Sequence, residues 1–166
     1  MKNDFRLKYP LWMMAFIVIL GLIAYAMDSP TMEIVNNSSE TSMEMTLEAS
    51  KGIILMGAIA LYVILLCIFA LQLKKHNRQN PSRKISAFSI RPPEYLEQDE
   101  GMTYITRKAV QKVYTFFTWA LPSLAGVAII LQLPRLFIIY GILVIAMGQY
   151  LIYYLEVRKY FKEEKE

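Results

Sequence analysis

The sequence predicts an all-α integral membrane protein with four transmembrane helices. The chain of 166 residues is 55% hydrophobic and only 19% charged, so it is more apolar and less charged than an average soluble domain. Its charges are concentrated in loops and tails, whereas its apolar residues form four blocks that are each long enough to cross a bilayer. Residues 1–166 are therefore predicted to form a single transmembrane domain.

The first apolar block comprises residues 11–27 and follows a short basic arm. As a helix it measures about 26 Å, close to the thickness of a bilayer core. A basic arm, an apolar stretch and the sequence Ala24-Tyr25-Ala26 also describe a secretory signal peptide that is cleaved after Ala26. We expect the segment to be retained as a helix, and with either interpretation the following loop lies outside the cell.

This outer loop, residues 28–51, is acidic and polar. Ser, Thr and Asn dominate residues 36–42, which predicts a mobile, solvated segment, and residues 43–50 predict a short amphipathic turn. Thioethers are soft ligands for Cu(I), but methionine is used more often for packing, so we expect no metal site here. The methionines in and beside the loop are Met27, Met32, Met43 and Met45.

The second block, residues 52–73, is uncharged and leads into the longest polar segment, the cytoplasmic loop 74–112. The first part of that loop contains three prolines, which argue against a continuous helix. Its charges are all basic, and a base near an anionic leaflet is worth about 1 kcal/mol. The residues predicted to contact lipid headgroups are Lys74, Lys75, Arg78, Arg83, Lys84 and Arg91.

The second part of the loop predicts a helix that begins near Asp99 and continues into the third span without a break. Acidic residues come first and basic residues later, which suits the helix dipole, and apolar residues recur at spacings of three and four. We expect this amphipathic helix to be a partner-binding element. Its predicted contact residues are Asp99, Glu100, Met102, Ile105, Lys108 and Ala109.

The third and fourth spans, residues 113–133 and 136–155, are separated by a very short link and are predicted to form a tight helical hairpin. Pro122 removes one backbone donor and predicts a kink in the third span. Gly141 and Gly148 share one face of the fourth helix, which predicts close approach by a neighbour, most simply the third helix. The tail, 156–166, is expected to continue this helix for a turn or two.

The charge distribution predicts the orientation. Of the 18 lysines and arginines, only Lys51 and Arg135 fall on the side of the outer loop. Because cytoplasmic loops carry the excess of basic residues, both termini and the loop 74–112 are predicted to be cytoplasmic. The expected location is the inner membrane of a bacterial cell, with anionic lipids as partners and no nucleic acid.

No catalytic or metal-binding constellation is present in the sequence, and we predict neither an enzyme nor a cofactor. No ionisable residue lies inside any span, whereas such residues mark ion and proton pathways. Polar residues within the spans predict hydrogen bonds between helices or, less simply, the lining of a cavity. These residues are Tyr62, Thr115, Thr118, Ser123, Tyr140 and Gln149.

The stretch Asp99-Glu100, Tyr104-Ile105, Lys108-Ala109, leading directly into a span, resembles a juxtamembrane pattern of small, uncharacterised bacterial membrane proteins with four helices. Some of these are similar to accessory or immunity-type proteins. The resemblance implies a non-enzymatic membrane protein and carries no functional residues over to this sequence.

Three hypotheses for function follow. The first is a non-catalytic membrane protein that acts through protein partners, or through self-association, as an accessory subunit, regulator or immunity-type protein. The second is a small transporter or channel component with a polar cavity near Pro122. The third is a membrane enzyme that modifies a lipid with the acidic cluster Glu94, Glu97, Asp99 and Glu100.

Overall fold

The computed structural model of the chain describes residues 5–28, 31–37, 40–46, 48–79 and 100–163. Four of its helices are long and apolar enough to cross a membrane, by length and composition, as predicted. The elements, in chain order, are α1 (Phe5–Ala26), β1 (Thr31–Asn37), β2 (Glu40–Thr46), α2 (Ala49–Gln79), α3 (Glu100–Leu131) and α4 (Arg135–Glu163).

The helices extend beyond the apolar blocks into polar sequence, because residues such as Lys, Gln and Glu favour a helix nearly as well as Leu. Helix α3 begins at Glu100 and continues without a break to Leu131, in agreement with the helix that was predicted to begin near Asp99. Helix α1 begins at Phe5 and includes Pro10, which is fully buried. The basic arm is therefore partly helical, although the sequence suggested a start after Pro10.

The outer loop forms a β-hairpin, and the expectation of an amphipathic turn is wrong for residues 43–46, which belong to β2. Strands β1 and β2 pair antiparallel, from Thr31 opposite Thr46 to Asn37 opposite Glu40. The physical reason is a period-two alternation of polar and apolar residues in both strands, which suits a pleated ribbon. The hairpin lies outside the four candidate spans, all of which are helical.

The helices are arranged as a row in the order α2–α1–α4–α3. Helix α1 packs against α2 and α4, and α4 also packs against α3. Among the described residues no other pair of helices makes an extensive contact. Many large apolar side chains remain exposed, such as Ile129 and Ile130. In a bilayer such surfaces face lipid, which is as apolar as the side chains themselves.

An aromatic cluster joins α1 to α2. The ring of Phe69 lies 5.9 Å from the rings of both Trp12 and Phe16, and Phe16 also packs edge-on against Tyr62 at 5.3 Å. These are the edge-to-face arrangements and centroid distances that aromatic pairs favour. The indole Nε1 of Trp12 donates a hydrogen bond of 3.3 Å to Gln72 Oε1. The α1–α2 contact is therefore held by packing and by a polar bond between side chains.

A hydrogen bond within the helical region joins α1 to α4. The hydroxyl of Tyr140 donates to the backbone oxygen of Gly21 at 3.0 Å. Close approach is possible because Gly21 has no side chain: a Cβ there would lie 3.4 Å from Tyr140 Cε1 and 3.7 Å from Leu143 Cδ1. For Tyr140, the structure thus bears out the prediction of a hydrogen bond between helices.

Replacing Tyr140 with phenylalanine should cost about 0.6 kcal/mol, the average for hydrogen bonds between membrane helices, whose largest value is about 1.7 kcal/mol. We expect no more than the average, because the Gly21 carbonyl keeps its bond within the helix when the hydroxyl is removed. Thermal unfolding in detergent micelles measures the loss. Tyr62→Phe, which retains its ring contact with Phe16, is the matched control, and an equal loss in both variants would contradict the assigned role.

The two glycines of α4 receive side chains of α3, as their shared face predicted. A Cβ on Gly141 would lie 2.5 Å from Leu124 Cδ1, and a Cβ on Gly148 would lie 2.8 Å from Phe116 Cζ. The contact position moves from 141 to 148 along α4 while it moves back from 124 to 116 along α3. Helices α3 and α4 are therefore antiparallel. Because α3 occupies this face, the glycines are not available for contact with a second copy of the chain.

Candidate functional site

The candidate site is the end of the α3–α4 pair that carries the start of α3 and the end of α4. Helix α3 begins well before the apolar block 113–133, and α4 continues to Glu163, beyond the block 136–155. Lys112 Nζ and Glu156 Oε2 form an ion pair at 2.5 Å that joins the two helices. The side chain of Glu156 is only 11% exposed, whereas that of Lys112 is 52% exposed. The carboxylate therefore relies on the lysine to compensate its lost hydration, whereas the lysine remains partly hydrated.

Part of the apolar stripe of α3 is buried within the protein. Ala109 is completely buried and Thr106 is 7% exposed. Ala109 precedes Lys112 by three residues, which places both on the side of α3 that faces α4. Val157, next to Glu156 on α4, is also buried. Ala109 thus lies on the side of α3 that carries the Lys112–Glu156 ion pair, and its contact with a partner stays a prediction.

The remaining residues of the predicted partner-binding helix differ in what the structure describes of them. Ile105 and Lys108 are half-buried, and Lys108 makes interactions of its own within the protein. Glu100 and Met102 lie within α3, whereas Asp99 is outside the described residues.

A different face of α3 is exposed at this end, and we name it the outer α3 face. It consists of Tyr104, Arg107, Gln111 and Tyr114, which recur at helical spacings of three and four, and all four are exposed. Tyr104 is 64% and Tyr114 is 73% exposed. Sequence reasoning missed this face because it followed the apolar stripe. Two tyrosines and an arginine at helical spacings were the signal available in the sequence, since these residue types are enriched in interfaces between proteins.

Three of the residues predicted to contact headgroups are described, and all are exposed: Lys74, Lys75 and Arg78 at the end of α2. They follow Leu73, which is buried against Tyr9 and Phe69, so the basic end of α2 lies beside the start of α1. Arg83, Lys84 and Arg91 lie outside the described residues.

The polar residues of the spans are dispersed over three helices. The hydroxyls of Thr115 and Thr118 donate to carbonyls of α3 itself, Gln111 O at 3.0 Å and Tyr114 O at 2.9 Å. Ser123 is exposed on α3, and Gln149 is half-buried on α4. Pro122 is exposed within a continuous α3, and its kink stays a prediction. Tyr62 contacts Phe16, and Tyr140 contacts Gly21, at two separate helix contacts.

Groups of three or more His, Cys, Asp or Glu side chains that could hold a metal do not occur in the part of the chain that the structure describes. Cys67 is an exposed free thiol on α2. Of the acidic cluster considered for lipid chemistry, only Glu100 lies among the described residues, at the start of α3.

The fold has four helices that are long and apolar enough to cross a membrane, which fits the class of multi-pass membrane proteins, and one helix pair extends past its apolar segments. No protein-family model matches the sequence, and no curated protein or solved structure matches it.

Removing one partner of the Lys112–Glu156 pair should destabilise the α3–α4 contact. Lys112→Met leaves a mostly buried carboxylate without its cation, and we expect a loss of about 1 kcal/mol, reduced from the value for buried charged bonds because Lys112 is half exposed. Thermal unfolding of Lys112→Glu, Glu156→Lys and the double variant tests the pair. The double variant should recover most of the loss, and additive effects of the two changes would show that no specific pair exists.

Proposed function

We propose that this chain is a non-catalytic multi-pass protein of the bacterial cell membrane that acts through a protein partner, as an accessory subunit, regulator or immunity-type protein. The observation that carries this proposal is the row α2–α1–α4–α3. Helices α2 and α3 each have one extensive helical contact among the described residues, so one side of each is open to helices of another protein. The uncharged interiors of the spans favour this role over ion coupling.

In the proposed topology all four helices cross the bilayer, and α3 and α4 insert as a tight hairpin. Both termini and the end of the α3–α4 pair are cytoplasmic, where the exposed Lys74, Lys75 and Arg78 meet anionic headgroups. The distribution of basic residues along the chain supports this orientation.

Labelling of single cysteines in intact cells tests the topology. Cys67, the one cysteine of the chain, is first replaced by alanine, and a cysteine is then placed at Glu44, Lys75 or Lys159. A membrane-impermeant maleimide should label the Glu44 position from outside and the other two only after lysis. Labelling of Lys75→Cys or Lys159→Cys in intact cells would reverse the orientation.

The partner contact is proposed at the outer α3 face, which is exposed and combines two tyrosines with a cation. Such residues supply large contact area and directed hydrogen bonds. Contact with lipid alone would not require a charged residue such as Arg107 on the face of α3 that is turned away from α4. The charge therefore favours a protein partner at this face.

Purification of the tagged protein from gently solubilised native membranes tests the partner. We expect a stoichiometric protein partner that Arg107→Glu removes. Lys159→Glu, the same charge reversal at an exposed position of α4, should retain it. Reproducible purification without any stoichiometric partner would refute the proposed function, whereas retention by both variants would refute only the assigned face.

A further inference from the structure

One side of α3 presents polar side chains within the predicted span. We name it the span stripe, and its positions recur at alternating spacings of four and three, which places them on one side of a helix. Apart from the glycine these residues are exposed, and a Cβ on the glycine would meet nothing within 4 Å. Phe116 and Leu124, which pack beside the glycines of α4, lie on another side of α3. The span stripe consists of Thr115, Trp119, Pro122, Gly126 and Ile129.

Trp119 holds a hydrogen-bond donor on this stripe. It follows Lys112 by about 10 Å along the helix axis. In the topology proposed above it lies in the hydrocarbon core rather than in the aromatic belt at the interface. Trp119 is 74% exposed, and its indole N–H has no acceptor among the residues that the structure describes. Lipid tails offer no acceptor either, and an unpaired N–H is costly in hydrocarbon, so lipid tails alone do not satisfy this stripe.

Thr115 presents an acceptor on the same stripe. Its hydroxyl donates to Gln111 O at 3.0 Å, which uses its one hydrogen and leaves its oxygen able to accept. Thr115 lies one helical turn before Trp119, and long side chains of a helix lean towards its N-terminal end. An indole only donates, so two Trp119 side chains cannot pair with each other, whereas Trp119 and Thr115 can.

We propose that a second copy of this chain packs on the span stripe, with α3 against α3 in a parallel dimer. Two copies that insert in the same orientation are related by a two-fold axis along the membrane normal, so residues of equal number lie at equal depth. Trp119 of each copy then donates to the Thr115 hydroxyl of the other, which makes two equivalent hydrogen bonds. The average spacing of 3.5 residues along the stripe suits the shallow crossing of parallel membrane helices.

The presence of a donor and an acceptor on one stripe favours a second copy over an unrelated protein. In a two-fold contact residue i meets residue j and j meets i, so a helix can satisfy its own copy when it carries both groups about one turn apart. Trp119 and Thr115 meet this condition. The contact lies within the span, whereas the outer α3 face lies at the end of the α3–α4 pair, so the dimer does not depend on the protein partner proposed above.

Energy transfer in lipid vesicles between purified copies labelled at their C-termini with donor or acceptor fluorophores measures the association. We expect transfer that falls when unlabelled chain is added. An average hydrogen bond between membrane helices corresponds to about threefold in association, so Trp119→Phe, which removes both bonds, should weaken the dimer about eightfold. Thr115→Val should weaken it equally, and Thr115→Ser should not. The double variant should be no weaker than either single one, because each change removes the same two bonds.

The matched control is Thr118→Val, a change of the same residue type on the same helix. Thr118 is also exposed, and its hydroxyl also donates to a carbonyl of α3, Tyr114 O at 2.9 Å, but it is not part of the span stripe. This variant should associate like the original chain. Equal weakening by Thr118→Val and Thr115→Val would contradict the pairing of Trp119 with Thr115, as would additive effects in the double variant.

Crosslinking tests the dimer with Thr115 and Trp119 unchanged, so it remains valid if the other variants unfold. In chains with Cys67 replaced by alanine, Gly126→Cys should form a disulfide between copies on mild oxidation of membranes. Ala120→Cys, at a half-buried position away from the stripe, should not. A purified chain that is monomeric in vesicles would overturn the proposal. If that monomeric chain instead retains another protein in native membranes and loses it on Trp119→Phe, the stripe belongs to that protein and not to a second copy.

Discussion

Replacing Phe69 with alanine should destabilise the attachment of α2 to α1 by about 2 kcal/mol or more. The Phe69 ring packs against Trp12 and Phe16 at 5.9 Å and against Tyr9 at 6.5 Å. Each aromatic pair contributes about 0.5–1.5 kcal/mol beyond the burial of area. Between membrane helices, packing replaces the hydrophobic effect as the main source of association, so the loss of three ring contacts falls directly on this interface.

The effect should be large because α1 provides the only extensive contact of α2 among the described residues. Thermal unfolding in micelles, combined with crosslinking between cysteines placed in α1 and α2, would detect both the lower stability and the separation. Phe137→Ala is the matched control. Phe137 is 63% exposed on α4, so its replacement removes fewer packing contacts. Equal destabilisation by both changes would mean that the aromatic cluster does not hold α2.

Local features of the helices could be predicted from sequence because they depend on neighbours along the chain. The four long apolar helices follow from composition, and the unbroken α3 follows from its charge order and the position of its prolines. The close contact at Gly141 and Gly148 was also predictable, since a short link leaves α3 as the nearest neighbour of α4.

The order of the helices in the row could not be predicted. Apolar residues surround α1 on every side, and in lipid such a helix carries no stripe that identifies its neighbours. The placement of α1 between α2 and α4 rests on particular pairs, such as Phe16 with Tyr62 and Gly21 with Tyr140. Nothing in the spacing of these residues along the chain indicates that they meet.

The candidate site shows how periodicity can mislead. An apolar stripe on α3 correctly indicated a buried side, but periodicity does not say what covers it. Ala109 is buried on the side of α3 that carries Lys112, whereas Tyr104 and Arg107 are exposed on the opposite side. In the outer loop, by contrast, a periodic pattern was overlooked. The polar composition of residues 36–42 drew attention away from the alternation of polar and apolar residues in the strands that form the hairpin.

Replacing Gly141 with leucine should separate α3 from α4 and cost about 1–3 kcal/mol, the usual penalty for overpacking a closely packed contact. A Cβ at this position would lie 2.5 Å from Leu124 Cδ1 and 3.4 Å from its Cγ. The Gly141→Ala variant should lose less, because the end of the Leu124 side chain is able to rotate away. With a leucine at position 141, rotation of the Leu124 side chain does not relieve the clash, because the branched end of the new leucine would occupy the volume of Leu124 itself.

The matched control for this prediction is Gly57→Leu on α2, where a Cβ would meet nothing within 4 Å. That change should be neutral or slightly stabilising, because leucine has a higher helix propensity than glycine by up to about 1 kcal/mol. Adding Leu124→Ala to Gly141→Leu should restore part of the lost stability by vacating the space that the new side chain needs. If Gly141→Leu unfolds at the temperature of the original chain, or if Leu124→Ala fails to rescue it, the contact between Leu124 and Gly141 does not hold α3 against α4.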